Sequence, residues 1–166
     1  MSDPLVSGDS LVLLRNTVRE FGAAAGMPFL ELDDGGAAAV QLDSGFRLEL
    51  EYVPASDRLL VHLELGAPVP TDAVAWTELF RSNIRLMSSH GLSAGLGRIE
   101  GEDRLVLLAS LPAATLTTDQ LGEAAMSLVS VSERLGSEFG SSANAGLLRA
   151  ISDSQANTPV PGSLRI

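Results

Sequence analysis

A chain of 166 residues with 45% hydrophobic content is long enough to bury a core and too apolar to remain disordered. Its net charge is −10, its 11 basic residues are all arginine, and its acids crowd the stretch from Glu31 to Glu64. Such a surface repels phosphate backbones, which argues against nucleic acid and anionic membrane as partners. The absence of cysteine removes disulfides and thiolate metal sites.

The N-terminus, MSDPLVSGDS, has no basic run followed by an apolar stretch, so no signal peptide is expected, and no apolar run reaches membrane-spanning length. A first helix is expected from a cap at Asp9 or Ser10 to about Ala25, with Leu11, Leu14, Val18, Phe21 and Ala25 as its stripe. Gly26 and Pro28 end it. Four strands are expected next. Phe29 to Asp33 alternates and runs into the turn signal Asp34-Gly35-Gly36, and Ala38 to Leu42 is a weaker, Ala-rich strand. Phe46 to Val53 alternates clearly, with Phe46, Leu48, Leu50 and Tyr52 on one face and Arg47, Glu49 and Glu51 on the other. Arg58 to Leu65 repeats the pattern. One packed and one wet face marks an antiparallel meander.

Thr71 to His90 has the pattern of one amphipathic helix, capped at Thr71 and stopped by Gly91, on which Trp76, Leu79, Phe80, Ile84 and Met87 recur at spacings of three and four. Ser93 to Glu100 and Arg104 to Leu111 are expected to form a hairpin across Gly101-Glu102-Asp103, the second strand being apolar on both faces. A third helix runs from Thr117 to Phe139 behind the capping-box pair Thr117 and Gln120, with Leu121, Ala125, Leu128, Ser132, Leu135 and Phe139 as its stripe. The resulting fold class is α+β, in the order α-β-β-β-β-α-β-β-α, a twisted antiparallel sheet flanked by three helices. Residues 1–139 form the domain. Residues 140–166, rich in Ser, Ala, Asn, Gly and Pro, are expected to be a flexible tail whose pattern admits a short helix from Leu147 to Ile151.

Chemistry is sparse. His62 and His90 each lack a second ligand at helical spacing, which argues against a metal site. Glu49 and Glu51 share a strand face with Arg47, the pattern of a solvated sheet surface rather than a catalytic carboxylate pair. Gly91 to Gly97 does not open a helix after a strand as a phosphate-binding loop does. No G-x-S-x-G elbow occurs. Neither an enzyme nor a cofactor is expected.

Several segments resemble the class I type III secretion chaperones, the Tir-chaperone (CesT/SycE-like) family. They are FLELDDGG, FRLELEYVPASDRLLVHLELG with its Pro-containing linker, WTELFRSNIRLMSSHGLSAGLGRIEGEDRLVLLASLP, and the closing helix after TLTTDQL. The resemblance covers Leu11 to Phe139. The 27-residue tail and the Ala-rich second strand depart from it. It implies a small acidic homodimer in the bacterial cytoplasm that binds the N-terminal segment of a secreted effector in extended form and keeps it competent for secretion. The dimer contact then falls on Trp76, Leu79, Phe80, Asn83, Ile84 and Met87, with Leu92 to Leu96 beside it. The effector contact falls on Leu14, Val18, Phe21, Phe29, Leu30, Leu32, Val40 and Leu42. An adaptor of the same fold that binds a folded cytoplasmic partner is the alternative.

Overall fold

The computed structural model describes residues 6–43, 45–65 and 69–139. The expected tail of residues 140–166 and the side chains of Asp9, Leu135 and Phe139 lie outside what is described. The chain runs α1 (Val6–Ala24), β1 (Ala37–Gln41), β2 (Arg47–Val53), β3 (Arg58–Glu64), α2 (Ala73–His90), β4 (Leu92–Ile99), β5 (Glu102–Pro112), a 3-10 turn at Ala113–Thr115, and α3 (Thr118–Phe139). All strand pairs are antiparallel, and the sheet order is β1-β2-β3-β5-β4.

Alternation along β2 and β3 divides the sheet into two faces. Leu48, Leu50 and Tyr52 on β2, and Leu59, Val61 and Leu63 on β3, are buried in one core with Leu105, Leu107 and Ala109 of β5. α3 lies over β3 and β5, α1 packs beside α3, and α2 packs on β4. Leu14, Val18 and Phe21 from α1, and Leu121, Ala125 and Leu128 from α3, close the core from the helical side. The opposite face is wet. There Arg47 on β2 forms an ion pair with Glu49 at 2.8 Å and donates a hydrogen bond to Glu100 in the β4–β5 turn at 2.7 Å. The hydrogen bond to Glu100, with the charge of Glu49 behind it, raises the Arg47 pKa further.

Turn chemistry sets the registers. The β4–β5 hairpin closes on two residues, because Ile99 pairs with Glu102. Glu100 and Gly101 both have positive φ, 53° and 85°, the geometry of a type I′ turn. The turn is thus one residue shorter than, and shifted from, the expected Gly101-Glu102-Asp103. The capping box forms as expected: Gln120 N–H donates to Thr117 Oγ1 at 3.3 Å, and Thr117 N–H donates to Gln120 Oε1 at 3.1 Å.

Two expectations are corrected. α1 begins at Val6 rather than at a cap on Asp9 or Ser10, because Ser10 is buried at the head of the Leu14–Val18–Phe21 stripe. Burial of Ser10 overrides its own weak helix preference. Phe29 to Asp33 is not a strand, which leaves five strands instead of six. Its alternation is real, since Leu30 and Leu32 are buried between exposed neighbours. However, α1 holds the segment instead of a sheet. Met27 N–H donates to Gly22 C=O at 2.6 Å, and Arg15 Nη2 donates to Asp33 C=O at 2.6 Å.

Gly22 allows that close approach. A Cβ there would stand 2.6 Å from the Met27 carbonyl oxygen and 2.8 Å from Leu30 Cβ. Gly22→Ala should therefore lower stability by about 1–3 kcal/mol, the range for overpacking, despite alanine's better helix propensity. Chemical denaturation of the variant measures this.

Candidate functional site

Helix α2 carries apolar side chains on two faces rather than one. Leu79 and Leu86, with Ser82 between them, point into the core and are almost fully buried. Phe80, Ile84 and Met87, spaced four and three apart, point outward and are 64%, 75% and 57% exposed. Half-buried Trp76 joins the outer set, its ring centroid 6.1 Å from that of Phe80. Val74, 72% exposed, lies two residues before Trp76 and six before Phe80. The six residues expected at a dimer contact thus divide. Phe80, Ile84 and Met87 are at the surface and Trp76 is half-buried against the core, whereas Leu79 is inside it. The sixth, Asn83, faces the sheet.

Asn83 sits between the two faces and uses its amide on strand β4. Nδ2 donates to Ala94 C=O at 2.7 Å, and Oδ1 accepts from Ala94 N–H at 2.5 Å. Because β4 ends the sheet, those two groups point away from β5. One side chain therefore satisfies both backbone groups at the middle of this edge and closes it there to a further strand.

The other edge differs. Gly36 C=O accepts from Tyr52 N–H at 2.9 Å, and Leu42 N–H donates to Phe46 C=O at 2.8 Å, so the even-numbered residues of this stretch face β2. The odd-numbered residues face out. Ala37 closes on Asp33, donating its N–H to Oδ1 at 2.9 Å and accepting Asp33 N–H at 2.8 Å. Ala39 and Gln41 are exposed, and among the described residues no strand lies beyond them. The alanines of β1 put neither bulk nor charge in front of this edge.

The residues expected to contact an effector lie mostly inside the protein. Leu14, Val18, Phe21, Leu30, Leu32 and Val40 are buried in its own core, because the α1 stripe and the two short segments after it spend their apolar faces on the sheet and on α3. Phe29 is the exception, 76% exposed. Phe21 and half-buried Leu42 do share a feature the sequence did not reveal. They line an open groove of about 730 Å³ between the end of α1, the loop after β1 and α3, together with Met27, Leu48, Met126 and Val129. Glu123 and Glu133 stand on its α3 wall.

Among the described residues, no three His, Cys, Asp or Glu side chains gather as a metal site would require. Glu49 is engaged by Arg47. No described helix is long and apolar enough to cross a membrane.

Removing the edge cap at Asn83 leaves Ala94 N–H and C=O without their partner. Asn83→Ala should cost about 1–3 kcal/mol, the penalty for stranded backbone groups, whereas Ile84→Ala on the exposed face should leave monomer stability within about 0.5 kcal/mol. Urea denaturation at low protein concentration separates the two.

Several solved structures share this fold. A complex described as the HopA1–SchA chaperone–effector complex contains a chain that matches at 21% identity and a TM-score of 0.58, covering 75% of this chain and 93% of that one. A chain of the ExsC–ExsE complex matches at 22% and 0.61, covering 75% and 91%. The Yersinia pestis type III secretion chaperone SycH in complex with a stable fragment of YscM2 provides a match at 18% and 0.56, covering 72% and 97%. At these identities the likeness establishes the fold. No curated protein shows significant similarity to the sequence. The family model for the Tir chaperone proteins matches residues 16–136, which takes in every strand, all of α2, most of α3 and the second half of α1, and the chain belongs to the Tir chaperone protein (CesT) family.

Proposed function

We propose that this protein is a type III secretion chaperone of the bacterial cytoplasm. It binds the N-terminal segment of a secreted effector in extended form and performs no chemistry on it. The observation that carries this reading is the unequal treatment of the two sheet edges. Asn83 caps β4 at Ala94, while Ala39 and Gln41 on β1 offer N–H and C=O groups to an incoming strand. An extended segment laid along β1 gains main-chain hydrogen bonds whatever its sequence, and its alternate side chains find selective contacts. Phe29, exposed eight residues before β1, offers apolar area as well. The likeness to chains solved in a chaperone–effector complex, and to SycH with a fragment of YscM2, supports the same reading.

The outer face of α2 is proposed as a contact between two copies. Trp76, Phe80, Ile84 and Met87 form a continuous apolar stripe on a rigid helix, held in register by the inner face and by Asn83. Contiguous exposed apolar surface of this kind marks an association site. A homodimer presents two β1 edges, so one long segment can engage both. Ordering a disordered client is entropically expensive, and the larger surface helps to offset it. The net charge of −10 keeps such apolar surfaces soluble before the client arrives.

The edge can be tested by proline. Ala39→Pro removes an N–H that points to solvent, a change edge strands tolerate. It should leave the melting temperature nearly unchanged yet weaken binding of the effector's N-terminal segment by about tenfold or more, from one lost hydrogen bond plus the ring's obstruction of the added strand. Ala38→Pro removes an N–H directed at β2 and should destabilise the fold itself. Equal binding by Ala39→Pro and the parent would contradict strand addition at β1. For the dimer, the double variant Phe80→Arg with Ile84→Arg should sediment as a folded monomer; a persistent dimer would place the contact elsewhere.

A further inference from the structure

We propose that the groove between α1 and α3 is occupied by this chain's own segment Leu147–Ile151, which an incoming client has to displace. The groove is an apolar channel without a partner among the described residues, walled by Phe21 and Met27 on one side and by Met126 and Val129 on the other. Met126 is 67% exposed although it stands at the channel's mouth.

Chain connectivity favours this occupant. α3 forms one wall and continues to Phe139, after which 27 more residues follow. Met126 lies 13 residues before Phe139, roughly 20 Å back along a helix rising 1.5 Å per residue. The seven residues Gly140 to Gly146, sequence GSSANAG, reach at most about 25 Å. That span is long enough for Leu147, Leu148 and Ile151, the first large apolar residues after α3, to reach the level of Met126. Composition agrees, since the Gly140–Gly146 linker contains no charge and no proline.

Charge points the same way. Residues 140–166 hold Arg149 and Arg165 against Asp153, a net +1, which leaves −11 on residues 1–139. The groove's α3 wall carries Asp119, Glu123 and Glu133. A weakly cationic apolar segment tethered beside an acidic apolar channel has an effective concentration in the millimolar range, so a contact far too weak to form between separate molecules is populated within one.

The regulatory consequence rests on strand addition at β1. Leu42 follows directly on Gln41 and lines the groove, so a client strand running past the end of β1 arrives at the channel's mouth. Occupancy by the chain's own segment then lowers apparent client affinity in proportion to the fraction of molecules left open. The segment covers apolar surface while no client is present and yields to one that binds more strongly.

The chain has no cysteine, which makes disulfide trapping clean. In the full chain, the double variant Met126→Cys with Ser152→Cys should close an intramolecular bridge under mild oxidation at least about tenfold faster than Val12→Cys with Ser152→Cys, whose first site is exposed on α1 away from the groove. Adding Leu147→Glu and Leu148→Glu should abolish the difference. Equal rates for the two pairs would overturn the proposal, and so would a bridge that joins two chains instead of closing within one. The Leu147→Glu, Leu148→Glu variant should also bind the effector's N-terminal segment about two- to tenfold more tightly, as expected when half to nine-tenths of the grooves are occupied. A selective bridge with unchanged client affinity would leave the docking intact and refute its competition with the client; loss of strand addition in the Ala39→Pro test leaves the trapping result unaffected.

Discussion

Two hydrogen bonds between the Asn83 side chain and the backbone of Ala94 decide which surfaces this protein keeps and which it offers. They fix the rotation of α2 against β4. With that rotation set, Leu79 and Leu86 enter the core and Phe80, Ile84 and Met87 point away from it. The same two bonds use up the outward groups in the middle of β4, so the sheet cannot grow there. β1, at the far side of the sheet, carries no such cap at Ala39 or Gln41 among the described residues. A single asparagine thus links the core, the apolar stripe on α2 and the asymmetry of the sheet edges.

The physical problem for such a protein is to expose apolar surface and an open strand edge without aggregating. The distribution of charge addresses it. The wet face of the sheet carries Glu49, Glu51 and Glu64 around Arg47 and Arg104, and the chain as a whole is strongly acidic. Like copies repel at long range, while contacts at short range depend on apolar fit. Surface ion pairs such as Arg47–Glu100 add little stability individually. Their contribution is geometric, tying the β4–β5 turn to the start of β2 across the wet face.

Much of the fold was legible because the chain uses strong local signals. The alternation in Arg47–Val53 and Arg58–Glu64, the capping box at Thr117 and Gln120, and the glycine stops after α1 and α2 each specify one local geometry, and each forms. The failures share a cause. Phe29 to Asp33 alternates as a strand does, but alternation reports burial on one side and not hydrogen bonding, and here α1 supplies the partner through Gly22 and Arg15. The surfaces were harder to read. Periodicity placed Leu79 with Phe80 and Ile84, yet an apolar residue on a helix facing inward is indistinguishable by sequence from one facing a partner. Asn83 resembled any polar residue flanking an apolar stripe, since its bonds to Ala94 depend on a crossover that periodicity does not encode. Most residues expected to hold an effector are core residues for the same reason, whereas the open backbone of Ala39 and Gln41 has no side-chain signature at all.

The most direct test of this account follows backbone amides rather than side chains. Hydrogen exchange would be recorded residue by residue on the chain alone and bound to the N-terminal segment of the effector that co-purifies with it from its native host. Ala39 and Gln41 should exchange rapidly in the unbound chain, as groups facing solvent, and become protected in the complex, while Ala94, already bonded to Asn83, stays protected in both. Protection confined to other surfaces, with Ala39 and Gln41 still exchanging freely in the complex, would contradict strand addition at β1.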